Sequence, residues 1–228
     1  MSIIAALISS TDGVVSSDGR LFDSAWLDNG QVTKPALISS ESFDKTFVIY
    51  DGKAICAFSG HMHFSGKTVA DHISEIAVSH TSFGISLTAL AETVREEMRD
   101  RLWEIDPEEV VFACRTLDIL LVGGRNLTRA EMGIISYRFS ARGDAIISEE
   151  DTVWADRGNR YYVRGEDRAI RAAARVFETN RAPNRDIIFL KKLARQAVRA
   201  GISAAGIHGH GSDLACGGKV FTKQTRYL

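Results

Sequence analysis

The sequence predicts an α+β fold in which two antiparallel sheets stack face to face and a helix pair covers each outer side, a four-layer αββα sandwich. Strands and helices fall in clusters, in the order strands, two helices, strands, two helices and a strand. This clustering differs from the strand–helix alternation of a doubly wound parallel sheet. The 228 residues contain only three prolines and no Ser/Gly/Pro-rich linker. We therefore expect a single domain spanning residues 1–228.

The first half of the chain predicts two hairpins and then two helices. Apolar runs on either side of an Asp-Gly dipeptide predict the hairpins, at residues 2–9 with 13–18 and 46–50 with 54–59. Residues 20–44, rich in Ser, Gly, Asp and Asn, predict a loop with short strands near 31–38. Apolar residues at helical spacing then predict helices over about 66–79 and 86–103.

The second half predicts a run of strands, a helix pair and a closing strand. The strands are expected at 109–114, 116–123, 131–139, 143–149, 152–156 and 160–164. Helices fit residues 166–179 and 185–200, and the closing strand fits 217–223. Together with the first half, these elements supply the two sheets and two helix pairs of the sandwich.

Composition excludes several classes of partner. The formal net charge of −1 gives no electrostatic reason to expect nucleic acid or an anionic membrane as a partner. No apolar run approaches the roughly 20 residues that span a bilayer, and no signal peptide is recognised. Cys56, Cys114 and Cys216 form no disulfide framework. These features predict a cytoplasmic protein.

Four motifs carry candidate chemistry. Ser2 follows the initiator methionine, so removal of Met1 would place a hydroxyl beside a free α-amine, a nucleophile and a base in one residue. Asp18 lies sixteen residues after Ser2, at the end of the first hairpin. Lys45 begins the second hairpin, which ends in Ser59-Gly60. The fourth motif, near the C-terminus, is Asp213-Leu214-Ala215-Cys216-Gly217-Gly218.

These motifs resemble the proteasome β-subunit and bacterial HslV peptidase family, within the N-terminal-nucleophile hydrolases, over almost the whole chain. Members begin with a nucleophile after processing, reach an Asp sixteen residues later, place a lysine before a hairpin that ends in a small residue and glycine, and carry Asp-x-x-Ser-Gly-Gly. The resemblance implies the N-terminal-nucleophile hydrolase fold and a peptidase that cleaves polypeptides by acyl transfer without a cofactor. It also implies a self-compartmentalising homo-oligomeric ring, with an ATP-dependent unfoldase as a further partner.

The same resemblance assigns roles to residues. Ser2 Oγ would attack the peptide carbonyl, and the Ser2 amine would accept its proton. Lys45, paired with Asp18, would place a positive charge beside them. The Gly60 N–H would bind the developing oxyanion. Asp213 would orient the amine, and Gly217 would pack beside it.

The chain departs from the family pattern at several positions. The nucleophile is serine where the family generally has threonine, and only Met1 stands before it. The segment from Asp18 to Lys45 is longer than usual, so Lys34 competes for the lysine role; Lys45 is preferred because its hairpin matches. Cys216 replaces the motif serine and is a secondary nucleophile candidate, although free cysteines are usually inert core residues. Gly165-Glu166 stands where the family has a hydroxyl residue.

Two other functions stay open from the sequence. A chain that retains Met1 has no free Ser2 amine and would be a non-catalytic ring or scaffold subunit of the same fold. Alternatively, the His-x-His pairs His61/His63 and His208/His210 could ligate a transition metal in a metal-dependent hydrolase. That spacing permits a metal site without being diagnostic of one, and the peptidase interpretation expects no metal.

Overall fold

A computed structural model describes residues 2–22, 26–28, 31–34, 38–60, 63–79, 86–104, 117–126, 131–142, 145–156, 158–180, 186–206 and 216–226. The first half of the chain forms β1 (Ile3–Ile8), β2 (Asp12–Ser17), β3 (Leu21–Phe22), β4 (Trp26–Asp28), β5 (Gln31–Lys34), β6 (Ile38–Ser40), β7 (Thr46–Ile49), β8 (Ala54–Ser59), β9 (His63–Phe64), β10 (Lys67–Thr68), α1 (Val69–Ser79) and α2 (Leu87–Trp103). The second half forms β11 (Leu117–Gly124), β12 (Met132–Arg142), β13 (Ala145–Trp154), β14 (Arg160–Gly165), α3 (Asp167–Thr179), α4 (Ile187–Gly206) and β15 (Phe221–Arg226).

Two large antiparallel sheets organise the described residues. One has the strand order β14-β1-β2-β15 and the other has the order β13-β12-β11-β8-β7. Three two-stranded sheets, β10-β9, β3-β6 and β4-β5, complete the strand pairing. The predicted α+β class with two antiparallel sheets is confirmed.

Strand β1 shows why an unbroken apolar run forms a strand here. Alternate side chains of a strand point to opposite faces of its sheet. Ile3, Ala5 and Leu7 accordingly pack with residues of α3 and α4, whereas Ile4 and Ala6 pack against the five-stranded sheet. Because both faces of β1 are covered, all six of its residues are buried, and none needs to be polar.

The buried residues form three clusters, and each cluster joins two packed layers of sheet or helix. One cluster joins the two sheets and includes Ile4, Val15, Ile55, Leu120 and Ile134. A second packs α1 and α2 against the five-stranded sheet, and the third packs α3 and α4 against the four-stranded sheet. Full burial of each large aliphatic side chain stabilises the fold by about 1.5–3 kcal/mol. This packing is compatible with an α+β sandwich.

Some predicted boundaries were wrong. The closing strand is Phe221–Arg226, not residues 217–223, because Gly217 and Lys219 bond instead to Gly19 and Glu41. The strands predicted at 143–149 and 152–156 are one strand, β13, in continuous register with β12. Helix α4 continues to Gly206. The strand predicted at 109–114 lies outside the described residues.

In the described part of the chain, no helix combines the length and apolar character needed to cross a membrane.

Candidate active site

The first hairpin brings Ser2 and Asp18 to the same end of the four-stranded sheet. Ile4 pairs with Ser17 in the β1/β2 ladder, so the residues just outside each strand face each other. The ladder continues one step further: the Asp18 N–H donates to the Ile3 carbonyl at 3.1 Å, and the Ile3 N–H donates to Asp18 Oδ1 at 2.9 Å. The Asp18 carboxylate is therefore fixed beside the backbone that follows Ser2.

Lys45 reaches this pair from the other sheet. It precedes β7, and its carbonyl accepts a hydrogen bond from the Phe58 N–H of β8 at 3.2 Å. Lys45 Nζ donates to Ser2 Oγ at 2.6 Å and to Asp18 Oδ1 at 3.0 Å. Ser2 is 3 % exposed, and Asp18 and Lys45 are 0 % exposed. The three side chains predicted to form the site thus meet in a buried hydrogen-bonded cluster.

Burial and charge act in opposite directions on Lys45. Burial lowers the pKa of the Lys45 ammonium because the charged form loses its hydration, while the negative charge of Asp18 and its hydrogen bond partly restore it. A buried charge of this kind is tolerated only when it is paired. The charge of Lys45 therefore depends on its pairing with Asp18, and the charged Nζ atom contacts the Ser2 hydroxyl.

Asp18 is held by four donors. In addition to Ile3 and Lys45 on Oδ1, Gly217 N–H and Arg20 N–H donate to Oδ2 at 3.1 and 3.3 Å. Hydrogen bonds to a carboxylate are stronger than neutral ones. With its lone pairs occupied in this way, Asp18 serves to hold Lys45 and the surrounding backbone rather than to accept a proton from a substrate.

The C-terminal motif reaches the cluster through Gly217. Its N–H binds Asp18, and its carbonyl accepts from the Gly19 N–H at 3.1 Å. Cys216 is 2 % exposed. Burial raises the pKa of the Cys216 thiol to about 12, and the nearby charge of Asp18 acts in the same direction. The thiol is therefore protonated near neutral pH, which makes it a poor nucleophile.

Gly60 directly follows β8, at the same end of the sheet as Lys45. Thr46 pairs with Ala57, and the bond from Phe58 to Lys45 extends that register toward Ser59 and Gly60. Gly60 has φ 101°, a backbone conformation that favours glycine. The preceding strand end is fixed because Ser59 Oγ donates to Asp118 Oδ2 at 3.3 Å.

Most of the remaining predicted candidates lie wholly or partly outside the described residues. Lys34 ends β5, which pairs with β4, and its side chain is outside the described residues. His63 is exposed on β9. Met1, Asp213, His61, His208 and His210 lie outside the described residues. Among the residues that the structure does describe, no three His, Cys, Asp or Glu side chains are grouped so that they could hold a metal ion.

Gly165 lies against the backbone of Ser2. The sequence analysis noted Gly165-Glu166 only as a departure from the family pattern, without an explanation for the glycine. It pairs with Ile3 in the β1/β14 ladder and has φ 141°. A Cβ atom at this position would overlap the Ser2 carbonyl oxygen. The next residue, Glu166, donates its N–H to that oxygen at 3.2 Å and accepts from the Ala169 N–H at 2.8 Å as the N-cap of α3. The Glu166 carboxylate therefore caps a helix whose start lies against Ser2.

Sequence reasoning missed Arg20 and Glu41. The Arg20 guanidinium binds both carboxylate oxygens of Glu41, with Nε at 3.0 and 3.2 Å and Nη2 at 2.9 Å from the nearer oxygen. Its Nη1 donates to the Cys216 carbonyl at 3.2 Å. The two residues lie near opposite ends of the segment between the first and second hairpins. This segment has no apolar periodicity or motif from which their contact could be predicted.

Comparison with protein-family models gave no match, and no curated protein matched the chain at a significant level.

Proposed function

We propose that the chain is a proteasome-like peptidase of the N-terminal-nucleophile hydrolase fold, with Ser2 as nucleophile. The observation that carries the proposal is the 2.6 Å contact between Lys45 Nζ and Ser2 Oγ, inside a cluster completed by Asp18. A buried ammonium has three N–H donors and needs acceptors in any role, so what matters in this contact is the identity of the acceptor. Here the acceptor is the side chain that the sequence motifs single out as the nucleophile.

The mechanism requires a free α-amine on Ser2, so the peptide bond that precedes Ser2 must first be hydrolysed. Ser2 Oγ then attacks the carbonyl carbon of the scissile peptide bond, and the hydroxyl proton passes to the Ser2 amine. The C–N bond of the tetrahedral intermediate breaks, and the protonated amine returns the proton to the leaving nitrogen. Water hydrolyses the resulting ester by the same route in reverse and regenerates the serine.

Lys45 and Gly60 supply the electrostatic part of this mechanism. The ammonium of Lys45 lowers the pKa of a neighbouring amine and stabilises negative charge that develops on Ser2 Oγ. The Gly60 N–H is the proposed donor to the oxyanion, a contribution of about 3–4 kcal/mol for a well-placed donor. Asp213 is proposed to orient the amine, and Gly217 fixes Asp18 through the hydrogen bond described above.

The proposed partners follow from the same family assignment. Polypeptides are the substrates, a homo-oligomeric ring encloses the sites, and an ATP-dependent unfoldase delivers substrates to it. No nucleic acid or membrane partner is proposed, and the protein is assigned to the cytoplasm.

Hydrolysis of an unfolded polypeptide by the purified, processed protein tests the proposal. Ser2→Ala and Lys45→Ala should each abolish cleavage without changing oligomer size in light scattering. Ser10→Ala and Lys192→Ala, which change an exposed serine and an exposed lysine, are the matched controls and should cleave at the unaltered rate. Cleavage by Ser2→Ala would refute the assignment. Loss of activity in Lys34→Ala but not in Lys45→Ala would transfer the lysine role to Lys34.

One observation favours a second candidate function, a non-catalytic scaffold subunit. Ser2 is only 3 % exposed, whereas a substrate carbonyl must reach its Oγ atom. A chain that keeps the residue before Ser2 would therefore have a closed, inactive site. Intact mass separates the two candidates, because the peptidase begins at Ser2 and the scaffold does not.

A further inference from the structure

We propose that the ion pair between Arg20 and Glu41 is a positioning clamp for the Lys45–Ser2 contact, so that its loss slows acylation without weakening substrate binding. The inference rests on the proposed function, since it assigns a role within the same site. Their hydrogen bonds described above run to each other, to Asp18 and to Cys216, so we assign both a positioning role rather than a catalytic one.

The clamp joins the segments that carry the two charged members of the site. Arg20 follows Asp18 by two residues, and Glu41 precedes Lys45 by four. The guanidinium grips the Glu41 carboxylate through Nε and Nη2, a geometry that fixes orientation as well as distance. Asp18 directly follows β2 of one sheet and Lys45 directly precedes β7 of the other, so the ion pair spans the junction at which Asp18 and Lys45 meet.

The C-terminal motif is held by the same clamp. Arg20 Nη1 donates to the Cys216 carbonyl, and the Gly217 N–H donates to Asp18. Backbone bonds reinforce the arrangement, because Phe43 N–H donates to the Gly19 carbonyl at 2.9 Å and Lys219 N–H donates to the Glu41 carbonyl at 2.7 Å. Three segments distant in sequence are thus fixed relative to one another around Asp18.

The two glycines of that motif make room for the clamp. A Cβ atom on Gly217 would overlap the Arg20 guanidinium, and a Cβ atom on Gly218 would overlap the Glu41 carbonyl oxygen. Gly218 also has φ 76°, which disfavours a side chain. The Gly-Gly dipeptide is therefore explained by the close approach of Arg20 and Glu41, an observation independent of the ion pair itself.

The exposure of the pair indicates positioning rather than stability as its role. The Arg20 side chain is 14 % exposed and that of Glu41 is 48 % exposed. A pair this accessible adds little to the free energy of unfolding. By contrast, a displacement of about 1 Å at a reacting group can lower a rate by roughly 100-fold. A partial displacement of Lys45 or Asp18 is expected to cost about 10-fold.

The charges of the clamp also affect the pKa of Lys45. Burial lowers the pKa of its ammonium most, the charge and hydrogen bond of Asp18 raise it, and the charge of Arg20 lowers it. The positive charge of Arg20 lowers the pKa of Lys45, and Glu41 neutralises part of that charge. Removal of the Glu41 charge should therefore lower the pKa of Lys45 further.

The test compares Glu41→Gln with Glu131→Gln in the processed protein. Glu131 forms a similar but remote ion pair with Arg125 at 2.9 Å and serves as the matched control. Two readouts are measured: kcat and KM for an unfolded polypeptide, and the titration of Lys45 by NMR of protein labelled with ¹³C at the lysine ε-carbon. Glu41→Gln should lower kcat about 10-fold at unchanged KM and shift the Lys45 titration to lower pH. Glu41→Asp should recover part of the rate.

The outcomes separate the clamp from the proposed function. If Glu41→Gln matches Glu131→Gln in both readouts, or raises KM at unchanged kcat, the clamp is refuted while the peptidase stands. If the wild-type protein cleaves nothing, the peptidase is refuted, and the kinetic role of the clamp with it. The NMR titration then tests only whether Glu41 acts on Lys45: a shift of Lys45 in Glu41→Gln but not in Glu131→Gln supports that, and an unchanged titration overturns it.

Discussion

The buried pair of Lys45 and Asp18 should be strongly coupled in its contribution to the free energy of unfolding. Its atoms are 3.0 Å apart and both side chains are 0 % exposed. At an effective dielectric constant of about 20, Coulomb attraction at this distance amounts to about 5 kcal/mol, which offsets part of the loss of hydration of the two groups. Lys45→Met removes the attraction but leaves the Asp18 charge buried. We expect that variant to lose about 3–5 kcal/mol of stability.

A double-mutant cycle measures the coupling directly. Lys45→Met, Asp18→Asn and the double variant are unfolded in urea at one protein concentration, because assembly would otherwise change the apparent stability. We expect the double variant to be more stable than the sum of the single losses predicts, with a coupling energy of about 2–3 kcal/mol. The carboxamide of the double variant leaves no unpaired charge in the cluster.

The pair between Lys223 and Asp44 provides the control for that cycle. It has the same chemistry and nearly the same N–O distance, 2.9 Å, but its side chains are 36 % and 30 % exposed. Its coupling energy should stay below about 1 kcal/mol because water screens it. Equal coupling in the two cycles, or a value under 1 kcal/mol for Lys45 and Asp18, would refute the argument that burial makes this pair obligatory.

Three further predictions follow from the site. Gly165→Ala should destabilise the protein and abolish cleavage, because the new Cβ overlaps the Ser2 carbonyl. Gly158→Ala, also at positive φ but with open space around it, should leave cleavage intact; equal effects of the two variants on activity and melting temperature would disprove the close approach. Activity should rise with pH as the Ser2 amine loses its proton. With a further rise in pH it should fall again before the ordinary lysine pKa of 10.5 is reached, because burial lowers the pKa of Lys45; activity that stays constant past pH 10.5 would contradict the requirement for an ammonium. Maleimide should leave Cys216 unmodified in native protein at pH 7 and label it after unfolding, as peptide mapping can show, and rapid native labelling would be inconsistent with a buried thiol of raised pKa.

The part of the site that sequence could predict depends on local strand geometry. Ser2 and Asp18 flank a hairpin that the apolar pattern of residues 2–18 predicts, so their adjacency could be expected. The predicted turn position was wrong, because Asp12 and Gly13 belong to β2 and the turn lies before them, at residues 9–11. Lys45 begins the second hairpin, and its contact with Ser2 was expected through the family resemblance. The coarse fold, two antiparallel sheets with helix pairs, likewise followed from the clustering of apolar periodicities.

The rest of the site depends on contacts that carry no local signal. Arg20 and Glu41 lie in a segment without periodicity, and only the folded chain shows that they meet. The need for glycine at position 165 arises from the carbonyl of Ser2 on a neighbouring strand. The sequence prediction ended one strand at residue 149 and began another at residue 152, yet Glu150 and Asp151 lie within β13, the last strand in the order of its sheet. All four residues from Glu149 to Thr152 are exposed, so charged side chains are solvated on both faces of this part of the strand.

The proposed mechanism requires that Ser2 carry both a reactive hydroxyl and a free amine. A peptide epoxyketone captures the two groups together, so the processed protein is treated with this reagent, digested and analysed by mass spectrometry. We expect one adduct, on a peptide that begins at Ser2, and none in Ser2→Ala. A chain that still carries a residue before Ser2, or an adduct located on another side chain, would contradict it.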